Sequence, residues 1–318
     1  MAKSHPKSSH GEDVKLSPDD RAISSATRIA QFLVLSIQRN EAGIIEDTDT
    51  ECLHQYRVSI RKLRSLLALI KGVYPPEDSD RLRSAFGGYA KDTNILRDLD
   101  VYLLDEAAYR AILDSYLVGG LDSFFDDLQI ERHRESRRFR KLLVSKDYQA
   151  RRKANQEWFF LPNLPKGPVA EKSIYILATK QIFRRYQSIC KKGKRIGTGA
   201  PDSEIHKLLN ECKKLHYLLE LFSTLFPQKK VRPIVRRLMG KQTKLGRFND
   251  YCVQTQFLVN HLNKSQSLSS ATAAAIGGLV TSLSQSKQNS LENIIERVSK
   301  FSDSKTRILM KSLLKAKS

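Results

Sequence analysis

An all-α fold built from an internal duplication is what this sequence predicts, and three observations carry it. Apolar residues recur at steps of three and four rather than two, the period of a helix with one buried face. Only 15 Gly and 10 Pro occur in 318 residues, and they cluster at a few breaks. Finally, a shift of 152 residues brings a series of like residues into register. His54 falls on His206, Arg61-Lys62-Leu63 on Lys213-Lys214-Leu215, Arg64 on His216, and Leu66-Leu67 on Leu218-Leu219. Pro75 then falls on Pro227, Gly88 on Gly240 and Asp98 on Asp250. A constant offset held without insertion marks two halves of about 150 residues, each with four helices and a longer, charged one.

The helices are expected near 19–42, 49–73, 78–92, 96–117 and 121–158 in the first half. In the second they are expected near 168–190, 202–225, 230–245, 248–263, 268–286 and 288–315. Their breaks are Pro75-Pro76, Gly119-Gly120, the stretch from Pro162 to Pro168, that from Gly193 to Pro201, and Pro227. Ser17-Pro18-Asp19 reads as an N-terminal cap with Pro in the first turn. The leading MAKSHPKSSHGEDVK is polar and has no apolar run of a secretory signal, so residues 1–17 read as a disordered tail. The folded halves then run over 18–160 and 168–318. No stretch approaches 18 apolar residues, so no membrane span is expected. Cys52, Cys190, Cys212 and Cys252 form no CxxC pair and read as small buried residues of a cytosolic protein.

The charge points to a partner. Lys plus Arg is 55 and Asp plus Glu is 34, a formal net charge of +21. Such a surplus suits a polyanion: nucleic acid, an anionic membrane surface or a phosphate polymer. It is organised on HQYRVSIRKLRSLL, residues 54–67. There His54, Arg57, Arg61 and Arg64 share one helical stripe, while Tyr56, Ile60, Leu63, Leu66, Leu67 and Ile70 gather opposite. A helix that needs only solubility mixes Glu with Lys; this one carries a single sign. A second basic stretch, ERHRESRRFRKLL, holds Arg132, Arg134, Arg137, Arg138, Arg140 and Lys141 and reads as a basic wall. Asp98 and Asp250, at the start of each fourth helix, read as structural acids suited to a helix N-terminus.

DTECLHQYRVSIRKLRSLL, followed by Pro75 and ILRDLDVYL, resembles the first half of a CHAD domain. EIHKLLNECKKLHYLLELF, Pro227 and KLGRFNDY resemble its second half. The likeness covers about residues 18 to 315. It implies two pseudo-symmetric four-helix bundles with a basic channel or groove between them. It also implies binding of inorganic polyphosphate, with some bacterial members associated with polyphosphate granules. Carried over, the basic motif positions are His54, Arg57, Arg61, Lys62 and Arg64, then His206, Lys213 and Lys214. Two departures stand out: Leu209 occupies the position of Arg57, and His216 stands where the second copy usually has Arg. No ExExK strand of the triphosphate-tunnel domain occurs.

The expected function is therefore non-catalytic binding of polyphosphate by Arg and Lys rows at helical spacing. Arg28, Lys180 and Arg184 of the first helices, and Arg134 and Arg138 of the long one, extend the track. The expected location is the cytoplasm or polyphosphate granules, with no cofactor; the oligomeric state stays open. Nucleic-acid binding is the alternative on charge alone. A di-metal bundle would use Glu-x-x-His on two helices. Glu51-Cys-Leu-His54 matches once, Glu204-Ile-His206 has the wrong spacing, and the neighbouring arginines repel a cation.

Overall fold

The computed structural model describes residues 14–47, 49–197, 199–239, 244–264 and 268–314, excepting the side chains of 239, 244–247, 264 and 314. Among the described residues every regular element is helical, as the periodicity demands. The first half contains α1 (Ala22–Glu46), α2 (Thr50–Leu69), α3 (Pro76–Lys91) and α4 (Asn94–Leu104). These are followed by the short α5 (Glu106–Ala111) and α6 (Ser115–Val118), then α7 (Asp122–Val144) and α8 (Lys146–Glu157). The second half contains α9 (Ile174–Gly193), α10 (Asp202–Leu221), α11 (Gln228–Met239), α12 (Lys244–Lys264), α13 (Ser270–Phe301) and α14 (Ser304–Leu314). Local chemistry sets the starts. The Asp49 carboxylate accepts from the Glu51 amide at 2.8 Å, and Ser269 Oγ accepts from Thr272 at 3.1 Å. Pro76 opens α3 with Glu77 and Asp78 in its first turn, where the helix dipole favours acids.

The duplication is visible in the backbone. α1 and α9, α2 and α10, and α3 and α11 each begin 152 residues apart. Where the halves meet at their starts, Arg21 and Ser173 form an isolated antiparallel bridge. Ala22 N donates to Lys172 O at 2.8 Å, and Ile174 N donates to Asp20 O at 3.0 Å. The two bonds exchange places under the 152-residue shift.

The buried apolar side chains form two clusters, and neither stays within one half. The larger joins α1, α2 and α3 to α9, α10 and α11, with Ile60, Leu63 and Leu66 of α2 and Leu215 and Leu218 of α10 fully buried. The smaller joins α4 and α7 to α12 and α13 through Leu99, Phe124, Leu258, Ile276 and Leu279. The halves are thus not two bundles with separate cores. α2 also lies against α10, with Lys62 reaching Glu220 across the contact.

Several boundaries differ from expectation for local reasons. The long basic helix breaks at Ser145, which is extended (φ −69°, ψ 137°) and whose hydroxyl bonds to Leu142 O. Conversely, α13 runs unbroken past Ser286 and Lys287, because nothing there interrupts a helix; it ends before Asp303, whose carboxylate caps Thr306 N at 2.6 Å. The 96–117 region divides at Asp105 and again before Asp114. α1 starts at Ala22, since Asp20 turns back to accept from Ser17 N at 2.8 Å. Residues 14–17 are not a loose tail: Leu16 is buried, its amide donates to Thr224 Oγ1, and Thr224 donates to Val14 O. The rest of the expected tail, 1–13, lies outside the described residues, as does Gly240. Cys212 is buried, whereas Cys52, Cys190 and Cys252 are only half-buried. No helix among the described residues is long and apolar enough to cross a membrane.

Arg132 is not part of a basic wall. Its guanidinium grips Asp47 through two bonds of 2.7 Å and Asp100 through one of 3.0 Å. Asp100 is 1% exposed, and Asp47, at φ 55°, ends α1. Burial pushes the Asp100 carboxyl up, with Arg132 pulling it back. Burial opposes ionisation of Asp47 too, but the bonds from Arg132 and Ser136 outweigh it and hold that carboxyl below its usual range. This bridge ties α1, α4 and α7 together. Arg132→Ala leaves buried acids without their cation and should cost about 3–5 kcal/mol in denaturant unfolding. Arg134→Ala, at an exposed neighbour in sequence, should change stability by about 0.5 kcal/mol or less. Equal effects of the two would contradict this assignment.

Candidate functional site

The apolar face of α2 leaves its opposite face at the seam with α10. Tyr56, Ile60, Leu63, Leu66, Leu67 and Ile70 are all buried, as their spacing requires. On the other face His54 and Arg57 are half-buried and Arg61 is exposed. Lys213, which the duplication equates with Arg61, comes within electrostatic range of it across the seam. Burial lowers the Lys213 ammonium, Arg61 lowers it further, and Asp250 acts in the opposite sense. Arg97 of α4 faces the same place. The pKa of His54 is lowered by burial first and by Arg97 next, with Glu51 opposing and Arg61 and Arg57 adding to the fall. The Arg57 guanidinium is likewise lowered by burial, then by Arg61, with Asp98 opposing and Arg97 adding. Loss of solvent pushes the carboxyl of Asp98 up, against the pull of Arg57 and Arg97. Arg57, Arg61, Arg97 and Lys213, with the imidazole of His54 held toward its neutral form among them, thus form one cationic cluster drawn from α2, α4 and α10.

Within this cluster the roles differ. Arg57 Nη1 donates to Ala90 O at 2.7 Å, to Thr93 Oγ1 at 2.5 Å and to Asn94 Oδ1 at 2.9 Å. It therefore closes the turn between α3 and α4 and is only in part available to a ligand. Its place in the expected binding stripe is therefore joined to a structural role. Arg61 and Arg97 make no side-chain hydrogen bond or ion pair among the described residues. Arg64 lies over Gly87 of α3, where a Cβ would stand 3.3 Å from its guanidinium carbon, and its Nε is buried without a hydrogen-bond partner among the described residues.

The remaining expected residues are more dispersed. Lys62 crosses the seam to Glu220 Oε1 at 2.6 Å, and His216 Nε2 stands 3.9 Å from the other oxygen of Glu220. Lys214 pairs with Glu211 at 2.8 Å, which also holds Arg185 of α9 at 2.8 Å. His206 packs its ring on Phe248, centroids 5.8 Å apart. Arg138 pairs with Glu135 and donates to Asp92 O, reaching the turn that Arg57 closes. Arg28 is tied back to Asp20. Arg134, Lys180 and Arg184 are exposed, and no contact joins them to the cluster. Sequence reasoning missed Arg97 because Arg97-Asp98 was read only for its acid. Its signal was the basic residue one place before the repeat-matched aspartate. No group of three or more His, Cys, Asp and Glu that could hold a metal ion occurs among the described residues.

The division of labour is measurable. Arg57→Ala deletes bonds to a buried turn and should cost about 1–3 kcal/mol of stability. Arg61→Ala removes only a charge among like charges and should leave stability unchanged or slightly raised. Denaturant midpoints of the two variants check this, and a larger loss from Arg61→Ala would contradict it.

Comparison with known proteins agrees with this geometry at the level of fold. The chain is similar to the crystal structure of the CHAD domain from the plant Ricinus communis, with a TM-score of 0.75 and 24% identity. That match covers 91% of this chain and 95% of the other. It is also similar to PptA from Streptomyces chartreusis, with a TM-score of 0.65 and 13% identity, covering 88% of this chain and 99% of that one. No curated protein sequence matches it. The sequence model of the CHAD domain matches residues 28–259, most of the chain, and the protein therefore belongs to the CHAD domain family.

Proposed function

We propose that the protein binds inorganic polyphosphate at the α2–α10 seam, without hydrolysing it. The observation that carries this reading is the meeting of repeat-equivalent cations, Arg61 and Lys213, beside an Arg97 that makes no salt bridge among the described residues, with Asp98, Asp100 and Asp105 only within electrostatic range of it. Like charges gathered in a half-buried place repel each other, and only an anion relieves them. A linear chain of phosphates offers one charge and several acceptor oxygens per unit. It matches Arg forks and Lys point charges presented in rows by rigid helices. Bases would add little, since His54 is the one ring in the cluster and single-strand binders rely on stacking platforms. In this reading the halves are pseudo-symmetric helical units about the seam, and the protein acts in the cytoplasm or at polyphosphate granules.

Long-chain polyphosphate should displace a labelled oligonucleotide readily, and the reverse exchange should be poor. At the single-strand slope, four phosphate contacts weaken binding about 50-fold between 50 and 200 mM salt. Arg61→Ala, Arg97→Ala and Lys213→Ala should each cost about 1–2 kcal/mol of affinity, with helicity intact. A salt-independent affinity, or a triple variant that binds as tightly as the parent, would rule the seam out.

In this reading the cluster binds without hydrolysing: it supplies donors and positive charge, and among the described residues no group of three His, Cys, Asp or Glu could hold a metal ion. Incubation with polyphosphate or nucleoside triphosphates should release no phosphate above a blank. Release that disappears in Asp98→Asn would overturn this.

A further inference from the structure

α13 carries a feature that the seam does not use. Ser286, Ser290, Asn293, Arg297 and Lys300 follow one another at steps of four, three, four and three, so they share one face over roughly 21 Å of helix. Two clefts lie along this face. One, of about 190 Å³, is lined by Tyr251 of α12 and by Ser286, Ser290 and Asn293. The other, of about 530 Å³, opens between α11, the end of α13 and the start of α14. Arg297 lines both. Tyr251 follows Asp250, the acid whose charge acts on Lys213, so one helix, α12, carries a residue of each place.

The larger cleft is strongly basic. Arg236, Arg237, Arg297, Lys300 and Lys305 line it against Glu296 and Asp303. Two of these cations are already matched. Arg237 holds Asp303 at 3.0 Å and also donates to Thr306 Oγ1 at 2.9 Å, and Lys300 pairs with Glu296. Asp303 also caps α14, so the helix terminus itself is occupied. Arg236, Arg297 and Lys305 make no side-chain hydrogen bond or ion pair among the described residues. These three positive charges around an open cleft are not tied into ion pairs among the described residues, and Arg297 feels Glu296 only at a distance. The approach along α13 is neutral and rich in hydroxyls and amides, which can donate to phosphate oxygens without holding the chain as firmly as a cation would.

We infer that this cleft is a second docking site for a linear condensed phosphate, reached from the seam along the polar face of α13. The inference rests on the polyphosphate reading above and extends it: one long chain spans both sites, while a short one fills only one. A condensed phosphate is favoured over a single-stranded nucleic acid because Tyr251 is the one aromatic side chain along the route, too few to stack successive bases. Two linked sites convert the second contact into an intramolecular one, so affinity rises with chain length once both are spanned.

The test is the triple variant Arg236→Gln, Arg297→Gln, Lys305→Gln in the full chain, with helicity checked by circular dichroism. Parent and variant are titrated with long-chain polyphosphate, with inorganic tripolyphosphate and with a single-stranded oligonucleotide. The expected result is a tenfold or greater loss of affinity for the long chain and a shallower salt dependence, with tripolyphosphate unchanged within twofold. Because the three side chains make no internal bonds, the single variant Lys305→Gln provides a milder second measurement in the same direction. Equal affinity of parent and variant for the long chain would overturn the inference, as would an equal loss for tripolyphosphate or a larger loss for the oligonucleotide. A parent that binds no polyphosphate fails the seam itself, a result distinct from a parent that binds and a variant that matches it.

Discussion

Everything in the molecule is arranged around the contact of α2 with α10. Each helix is apolar on one face, and each needs cover for it. That cover comes from α1 and α3 for α2 and from α9 and α11 for α10, within the larger core. The contact of α2 with α10 then brings polar residues of the two helices together. There the duplication brings equivalent cations, Arg61 and Lys213, to within electrostatic reach. Burial that stabilises the fold thus concentrates like charge where it is costly. Such a conflict between local electrostatics and global packing is where a functional site is expected.

The halves have diverged in how they handle that cost. In the first, Arg57 is held by the α3–α4 turn, while Arg61 and Arg97 make no side-chain hydrogen bond or ion pair among the described residues. In the second, Leu209 replaces the equivalent of Arg57, Glu211 matches Lys214 and Arg185, and Glu220 reaches across to Lys62. The cationic surface is therefore lopsided: strong on α2 and α4, partly neutralised on α10. The deeper ion pairs are different in kind. Arg132 with Asp47 and Asp100 shows that a basic run in sequence can be internal architecture, with no bearing on an outside anion.

Much of this was legible in the sequence, because a helix writes its buried face at a fixed period and a duplication writes itself at a fixed offset. The apolar set from Tyr56 to Ile70 and the common starts of α1–α3 and α9–α11 follow from those two signals. The break at Ser145 and the continuity of α13 were not legible, since neither depends on Gly or Pro. The cores shared between the halves were hidden as well, because periodicity says that a face is buried and not against what. For the site, the stripe on α2 could be read, but not which of its members are spent internally. Spacing places Arg57, Arg61 and Arg64 alike on one face, while only packing reveals that Arg57 serves a turn and Arg64 lies over Gly87. Arg132, Arg138 and Lys62 likewise carry acids that lie far away in sequence or one turn along their own helix.

The central claim is that an anion belongs between Arg61, Arg97 and Lys213. A crystal structure of the protein grown with a polyphosphate of defined length tests it most directly. The account predicts phosphate density at the α2–α10 seam, with oxygens within hydrogen-bond distance of Arg61 and Lys213 and with Glu220 still on Lys62. Density confined to the exposed basic residues of α7 or α9, with the seam holding only water, would contradict it.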